Sequence, residues 1–111
     1  AMYGTGTTRI YNAVRLRYKE GDRNAAVETE LLKLGVDIKA DNDEILITGR
    51  PLYKGGVELY GHNDHRIVMS LAVAATVCEE PVIINGAEAV NKSYPGFFED
   101  LKQLNIQIEI I

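Results

Sequence analysis

The sequence predicts a single two-layer α/β domain in which helices cover a mixed sheet. Segments in which apolar and polar residues alternate, as in strands, are interspersed with segments of helical periodicity. Hydrophobic residues make up 46% and charged residues 25% of the 111 residues, close to the averages of globular domains. A chain of this length buries roughly 65% of its unfolded surface, which supports one core. No linker or low-complexity segment divides it.

Strands are predicted where apolar residues alternate with polar ones or form short runs between turn signals. Residues 36–40 and 44–48 both alternate, and Asp41-Asn42-Asp43 between them signals a hairpin turn. The other predicted strands are residues 7–11, a short strand at 57–60 that follows a loop at 50–56, a buried strand at 81–85 and an alternating strand at 106–110.

Helical periodicity predicts three helices, at residues 23–34, 64–79 and 95–104, with Gly35 as the stop signal of the first. The second is the most apolar, so we expect it to be the central helix, with Leu71 and residues 73–75 largely buried. At the third helix, Ser93 or Tyr94 is expected at the cap, and Pro95 is tolerated in the first turn.

Two of these helix starts are predicted to bind an anion. Asp22 and Asp64 can cap the first two helices, and each is followed by an arginine in the first turn, Arg23 and Arg66. Helix N–H groups and the helix dipole attract negative charge, and a guanidinium can hold a carboxylate or phosphate with two hydrogen bonds. A single such arginine is more often a solvated or ion-paired surface residue. The two starts, together with Lys92 just outside the third, favour a small anionic metabolite.

Charge and cysteine usage exclude several other classes. The net charge of −4 disfavours nonspecific binding of nucleic acid. No apolar run is long enough to span a membrane, and no secretory signal pattern is present. The single Cys78 cannot form an internal disulfide and suits a reducing cytosol, so a cytoplasmic location is expected. Because Cys78 lies late in an apolar helix, we interpret it as a small core residue.

The histidines and tyrosines give weaker signals. His62 and His65 are three residues apart and could face one metal ion, but nearby acidic residues follow no recognised ligand pattern, so no metal site is expected. Tyr53, Tyr60 and Tyr94 are interpreted as packing and loop residues rather than a stacking surface.

Three motifs, in this order, resemble successive signatures of the 5-enolpyruvylshikimate-3-phosphate synthase family. They are Lys19-Glu20-Gly21-Asp22-Arg23, Asn63-Asp64-His65-Arg66 and Asn91-Lys92-Ser93-Tyr94-Pro95-Gly96-Phe97-Phe98. The resemblance runs from about residue 7 to residue 111. Gly21 departs from the pattern, since the family usually has Ser or Thr there, but the flanking charged residues remain.

The resemblance also implies a fold and a domain organisation. The family repeats a βαβαββ unit around an inside-out barrel, and its enzymes are several times longer, with two globular halves that close over the substrates. The chain is therefore expected to be a C-terminal fragment that forms one domain over residues 3–111 and is inactive without the missing N-terminal part. We interpret Ala1-Met2 as a cloning remnant and exclude it from the predicted fold.

The activity that the resemblance implies is transfer of the enolpyruvyl group of phosphoenolpyruvate to the 5-hydroxyl of shikimate 3-phosphate, with release of phosphate. It requires no metal and no organic cofactor. Two alternatives stay open: a noncatalytic anion-binding domain, and enolpyruvyl transfer to a UDP-sugar in cell-wall synthesis. The first two motifs favour shikimate phosphate over the nucleotide sugar.

Residue roles follow from the motif match. Arg23 and Arg66 match arginines that hold phosphoenolpyruvate, and Lys92 matches a lysine beside the same substrate. Lys19 matches a residue that contacts shikimate 3-phosphate, and Glu20 matches a carboxylate of proton transfer. His65 either orients or protonates a group near this pocket or only makes a hydrogen bond in the capping region. Asn12 loosely matches an asparagine on the substrate side. We expect Arg23, Arg66 and Lys92 to face one concave surface, with Glu20 at its edge.

Overall fold

The computed structural model describes residues 1–11, 23–41 and 44–109. The elements in these ranges follow one another in the order β1 (Thr7–Ile10), α1 (Arg23–Lys33), β2 (Asp37–Ala40), β3 (Ile45–Thr48), β4 (Glu58–Tyr60), α2 (His65–Ala75), β5 (Ile83–Asn85), a 3-10 helix (Ala87–Lys92) and α3 (Phe97–Gln103). Gly35 follows α1 with a φ of 84°, as its role as stop signal predicts. Most predicted elements are therefore present, with shorter ends.

The strands form two sheets. In the first, β3 lies between β1 and β2 and pairs antiparallel with both, so that Ile38 lies opposite Ile47. The predicted turn between β2 and β3 is closed by the Asp41 N–H, which donates to the Glu44 carbonyl at 2.8 Å; residues 42–43 lie outside the described ranges. In the second sheet, β4 pairs with β5 in parallel, and α2 connects the two strands along the chain. The mixed α/β class is confirmed, with the antiparallel and parallel pairings in separate sheets.

Helix α2 is the centre of the packing, as predicted. Its buried face contributes Leu71 to a core shared with α1 and the antiparallel sheet, and Val68 to a second core with the 3-10 helix and α3. Leu71 is 1% exposed, which confirms its predicted burial, but Val73 is 57% exposed. The prediction for Val73 is wrong because a residue two positions along a helix points about 200° away.

The end of α2 also differs from the prediction. The helix ends at Ala75, with Thr76 at its C-cap, rather than at residue 79. Beyond it, Cys78 pairs with Tyr53 in an isolated bridge, and the Glu79 N–H donates to the Tyr53 carbonyl at 3.0 Å. These backbone bonds to the loop before β4 replace the last predicted helical turn.

Two strand predictions need correction. The segment 81–85 is predicted to be buried, but the strand covers only Ile83–Asn85, and Ile83 is 48% exposed because, among the described strands, β4 alone pairs with β5. Residues 106–109, the described part of the predicted strand 106–110, have no strand structure. Their alternation persists, since Ile106 and Ile108 are half-buried between exposed neighbours. A ladder needs a neighbouring strand, and none of the described strands pairs with them.

The third helix begins later than predicted. Gly96 occupies its N-cap position, without a side-chain cap, so the expectation that Ser93 or Tyr94 caps it is wrong. The 3-10 helix, which the sequence did not predict, explains the shift. Its end uses the backbone N–H groups of Ser93 and Tyr94, which both donate to the Val90 carbonyl. Lys92 is thus the last residue of the 3-10 helix, several positions before α3.

Met2 belongs to the packed fold, although we excluded residues 1–2 from it. Its side chain packs against the core around α1 and the antiparallel sheet. Its carbonyl accepts hydrogen bonds from the Tyr53 hydroxyl at 2.5 Å and from the Arg50 N–H at 3.0 Å. The first residues therefore help to fix the loop that precedes β4.

Candidate functional site

The start of α2 is a capped helix N-terminus. Asp64 lies at the N-cap with extended backbone (φ −125°), and its Oδ1 accepts a hydrogen bond from the Arg66 N–H at 2.9 Å. The Asp64 carbonyl accepts from the Val68 N–H at 3.1 Å, which begins the helical ladder. The predicted cap is confirmed. The first-turn N–H groups and the helix dipole give this end of α2 a partial positive charge.

Arg23, the first residue of α1, forms a buried ion pair with Asp64. Its Nε donates to Asp64 Oδ2 at 2.6 Å, and its Nη2 to Oδ1 at 3.4 Å. Arg23 is 6% exposed and Asp64 2%. The guanidinium, which we expected to hold the anion of a ligand, thus binds a carboxylate of the protein itself. This pair fastens the start of α1 to the start of α2.

The Asp64 carboxyl is held in its charged form. Burial by itself raises the pKa of this group, but the hydrogen bonds from Arg23 and from the Arg66 N–H, together with the Arg23 charge, outweigh burial, so that the pKa lies below its ordinary value. At neutral pH the carboxylate is therefore ionised. It neutralises Arg23 and orients the α2 start at the same time.

The turn that leads into α2 has an unfavourable backbone conformation. The Asp64 N–H donates to the Gly61 carbonyl at 3.0 Å, and the two residues between them, His62 and Asn63, have φ values of 54° and 51°. Positive φ at both central positions is typical of a type I′ turn. Residues other than glycine pay about 1–2 kcal/mol each for the left-handed region. The surrounding contacts must therefore stabilise this turn.

One such contact comes from Lys92, at the end of the 3-10 helix. Its Nζ donates to the Asn63 carbonyl at 2.5 Å, and the lysine is exposed. Arg66, in the first turn of α2, is exposed as well, and its guanidinium has no hydrogen bond or ion pair among the described residues. Two exposed cations therefore accompany the partial positive charge of the helix start.

The structure brings three of the predicted site residues to one place. Arg23, Arg66 and Lys92 all contact the segment 63–66 or belong to it, although Arg23 does so as a buried ion-pair partner. His65, the first residue of α2, is half-buried beside them. Lys19, Glu20 and Asn12 lie outside the described residues, as does the predicted cap Asp22. Their roles, and the place of Glu20 at the edge of the surface, stay predictions.

Glu30, which no sequence pattern singled out, is 1% exposed. Its carboxylate accepts hydrogen bonds from the Tyr60 N–H at 2.8 Å and from Lys33 Nζ at 2.9 Å, and it lies 2.7 Å from His62 Nε2. A glutamate in a helix is usually solvated, so its residue type alone does not indicate such a role. The available signal was spacing, because Glu30 lies two turns after Arg23 and therefore on the same face of α1.

The Glu30 carboxyl is also ionised. Burial by itself raises its pKa, but the hydrogen bonds with His62, Lys33 and the Tyr60 N–H outweigh burial, so that the pKa lies below its ordinary value. Since His62 contacts Glu30, it is not arranged with His65 around a metal. The described residues contain no group of three side chains from His, Cys, Asp and Glu that is positioned to hold a metal ion.

Cys78 and Tyr53 agree with their predicted packing roles, although Cys78 lies beyond the end of α2 rather than late in it. Burial raises the pKa of the half-buried Cys78 thiol, which keeps it protonated. Tyr53 is 2% exposed, whereas Tyr60 and Tyr94 are partly exposed, and the Tyr94 hydroxyl donates to Asp100. Among the described helices, none has the length and apolar character needed to cross a membrane.

The arrangement of the elements is that of the enolpyruvyl transferase fold. The chain superposes on a 2.37 Å structure of EPSP synthase from Acinetobacter baumannii with a TM-score of 0.84 and 34% identity, covering 93% of this chain and 24% of that one. A second structure of EPSP synthase from Acinetobacter baumannii gives a TM-score of 0.87 at 30% identity and covers all of this chain and 26% of that one.

The sequence comparisons identify the family. The model of the family described as EPSP synthase (3-phosphoshikimate 1-carboxyvinyltransferase) matches residues 1–101. The chain is 55% identical to a 3-phosphoshikimate 1-carboxyvinyltransferase of Clostridium acetobutylicum over 104 residues, 94% of this chain. It is 47% identical to one of Clostridioides difficile over 109 residues, 98% of this chain. The chain belongs to the EPSP synthase family, as the ordered motifs predicted.

The chain spans only part of its relatives. It covers 24% of the Clostridium acetobutylicum protein and 25% of the Clostridioides difficile protein. The activity that the names of these relatives describe belongs to chains about four times longer.

Proposed function

We propose that this chain supplies part of the active site of a 3-phosphoshikimate 1-carboxyvinyltransferase. Such an enzyme transfers the enolpyruvyl group of phosphoenolpyruvate to the 5-hydroxyl of shikimate 3-phosphate and releases phosphate. Membership of the family supports this function. The observation that carries it to particular residues is the meeting of Arg66, Lys92 and the Arg23–Asp64 pair at the start of α2.

The chemistry needs cations that are already in place before the substrate arrives. Phosphoenolpyruvate carries a carboxylate and a phosphate, and the phosphate gains negative charge as it leaves with the electron pair of its C–O bond. Fixed N–H groups and cations stabilise such charge without reorganising, which is the largest single contribution in many enzymes. We assign Arg66 to bidentate binding of one anionic group. Lys92, whose ammonium has two further N–H donors, is assigned to the other.

Arg23 has a more indirect part in this proposal. It is bound to Asp64 through two N–H groups. We propose that it holds the α2 start, and with it Arg66, in position beneath the bound phosphoenolpyruvate. This role agrees with the motif match and with the burial of Arg23, which is 6% exposed.

The other roles rest on the motif match alone. We propose that Glu20 transfers a proton, that Lys19 contacts shikimate 3-phosphate and that His65 orients groups near the same pocket. The rest of a longer chain would supply the remaining contacts to shikimate 3-phosphate. The reaction is proposed to need no metal and no organic cofactor and to take place in the cytoplasm.

The proposal is tested by the rate of phosphate release from phosphoenolpyruvate. We expect the full-length enzyme that carries this segment to release phosphate with shikimate 3-phosphate as acceptor and not with a UDP-sugar. The isolated 111-residue chain is expected to show no turnover. Release with the UDP-sugar alone would overturn the assignment of the acceptor. Turnover by the isolated chain that disappears in Arg66→Ala would show that the chain needs no other part.

A noncatalytic anion-binding domain is the second candidate for the isolated chain. The observation that favours it is the short length relative to the relatives, since part of an active site can bind an anion without converting it. A noncatalytic domain predicts that inorganic phosphate perturbs the NMR signals of Arg66 and Lys92 in the isolated chain. It also predicts that phosphate release from phosphoenolpyruvate stays at the background rate after the rest of the longer chain is added.

A further inference from the structure

Glu30 is a buried charged group that the proposed reaction does not use. It lies on α1, 1% exposed, and its carboxylate is surrounded by His62, Lys33 and the Tyr60 N–H. We propose that Glu30 is a positioning residue: it holds the turn 61–64 in the left-handed conformation that sets the place of Arg66 and of the Lys92 contact. This inference rests on the proposed function and adds a residue to the same site.

The turn 61–64 has an uncommon backbone conformation. His62 and Asn63 both have positive φ values, 54° and 51°. Histidine and asparagine adopt the left-handed region more readily than most residues, but two such residues in succession still cost free energy, which other contacts offset. The turn precedes the cap Asp64 directly, so a change of its conformation would move the α2 start and, with it, Arg66. It would also move the Asn63 carbonyl that accepts the Lys92 hydrogen bond.

The carboxylate of Glu30 contacts the chain where the turn begins. One oxygen of the carboxylate accepts from the Tyr60 N–H at 2.8 Å, and the other lies 2.7 Å from His62 Nε2. The same side chain thus binds the last residue of β4 and a central residue of the turn. It therefore fixes the direction in which the chain leaves β4 and enters the left-handed region.

Glu30 and Arg23 lie on the same helix and hold opposite ends of the turn 61–64. Arg23 binds Asp64, at the far end of the turn, and Glu30 binds Tyr60 and His62, at the near end. Both are on one face of α1, seven residues apart, and a helix of 11 residues is rigid over that distance. The turn is therefore attached at both ends to one rigid element. Loss of the near attachment should free the turn even when the Arg23–Asp64 pair remains.

Glu28 provides a matched control on the same helix. Its Oε2 accepts from the Ala40 N–H at 2.6 Å, so it too is a partly buried carboxylate that accepts a backbone hydrogen bond. Its partner belongs to β2, away from the turn. Glu30→Gln and Glu28→Gln remove the same charge from α1, and only the first changes a contact of the turn 61–64.

The test is backbone hydrogen exchange of the 111-residue chain, without ligand, in the two variants. In Glu30→Gln we expect the amides of residues 64–66, which close the turn and the first turn of α2, to exchange faster by about tenfold or more relative to the rest of α2, because a hydrogen bond to a charged group is lost. In Glu28→Gln these amides should exchange as in the unmodified chain. Equal exchange of residues 64–66 in both variants would overturn the proposal, as would a uniform increase over the whole chain.

The second measurement separates positioning from stability alone. With inorganic phosphate as the probe, followed by amide NMR, Glu30→Gln should weaken the response at Arg66 and Lys92 several-fold, while Glu28→Gln leaves it unchanged. Equal phosphate affinities in the unmodified chain and in folded Glu30→Gln would reduce Glu30 to a structural residue and overturn the proposal. If the unmodified chain does not respond to phosphate, the proposed function of this site fails, and hydrogen exchange alone decides the role of Glu30.

His62→Asn covers the case in which Glu30→Gln does not fold. The His62 side chain is 33% exposed, so its replacement leaves the buried carboxylate with its Tyr60 and Lys33 hydrogen bonds, and asparagine tolerates the positive φ of this position but is too short to reach Glu30 as His62 Nε2 does. Faster exchange confined to residues 64–66 in His62→Asn supports the proposal. Exchange as slow as in the unmodified chain overturns it.

Discussion

Arg23 and Arg66 occupy equivalent places in the sequence, each in the first turn of a helix, yet their surroundings are opposite. Arg23 is 6% exposed and bound to Asp64, whereas Arg66 is exposed and its guanidinium has no partner among the described residues. Under the proposed function, the same residue type fixes the geometry of the site in one place and offers a charge to a ligand in the other. What differs between the two arginines is the burial of the guanidinium rather than its position in the helix.

The largest expected effect concerns the buried pair. Arg23→Ala should lower the free energy of unfolding by about 3–5 kcal/mol, because Asp64 would be left as an uncompensated buried charge. Arg66→Ala, the matched change at the exposed arginine, should alter it by no more than about 0.5 kcal/mol. Urea denaturation of the two variants measures both values. Equal losses would mean that the contrast between the two arginines has no energetic basis.

The pH dependence of stability sharpens the same contrast. The folded-state pKa of Asp64 is below its ordinary value, so its contribution is fully present above the unfolded pKa of about 3.9 and is lost as the pH falls through the folded pKa. Asp64→Asn should therefore be clearly less stable than the unmodified chain at neutral pH. The difference should shrink as the pH falls below about 4.

Denaturant unfolding at a series of pH values tests this dependence. Glu99→Gln is the control, because the Glu99 side chain is 69% exposed and its Lys102 contact is long, at 3.6 Å; its effect should stay small throughout. A deficit of Asp64→Asn that is the same at acid and neutral pH would contradict the assignment of a charged Asp64 to the pair.

A smaller effect is expected from Arg66→Lys, measured as phosphoenolpyruvate affinity in the full-length enzyme. An ammonium keeps the charge but cannot reproduce the two parallel hydrogen bonds of a guanidinium. The loss of one charge-assisted hydrogen bond corresponds to roughly 1.5–3 kcal/mol. Arg9→Lys is the control, since Arg9 is an exposed arginine paired with Glu44 in the antiparallel sheet. Unchanged affinity in Arg66→Lys would remove Arg66 from the ligand contacts.

The smallest expected effect is the response of the isolated chain to inorganic phosphate. In a titration followed by amide NMR, residues 65–67 and Lys92 should shift first, because the exposed cations and the α2 start attract the anion. Residues 23–25 should shift later or not at all, since the Arg23 guanidinium is bound to Asp64. Earlier shifts at the α1 start would reverse the comparison of the two arginines.

Local features of the fold were predictable, and long-range ones were not. The cap Asp64, the stop at Gly35 and the burial of Leu71 depend on neighbours within one or two helical turns, and the sequence carries that information. The segment 106–109 has the alternation of a strand but no strand partner among the described residues. Propensity can indicate a strand, while pairing requires a second segment in the right place.

The candidate site shows the same division. The placement of Arg66 and Lys92 near one another was expected from their positions at or just before helix starts, but the ion pair of Arg23 joins residues 41 positions apart. The buried role of Glu30 likewise depends on His62 and Tyr60, about 30 positions away. Composition and periodicity do not report such pairs. The sequence did indicate, through the seven-residue spacing, that Arg23 and Glu30 lie on the same face of α1.

Gly61 limits how variants of this site can arise. A methyl group in place of its hydrogen would lie 2.5 Å from a Val68 side-chain carbon and 3.2 Å from the Gly86 carbonyl oxygen. A residue with a side chain at position 61 therefore requires the fully buried Val68, or the chain at residue 61, to move. Because Val68 lies two residues after Arg66 on α2, a substitution of Gly61 should disturb the packing between the turn 61–64 and the α2 start without touching a charged group.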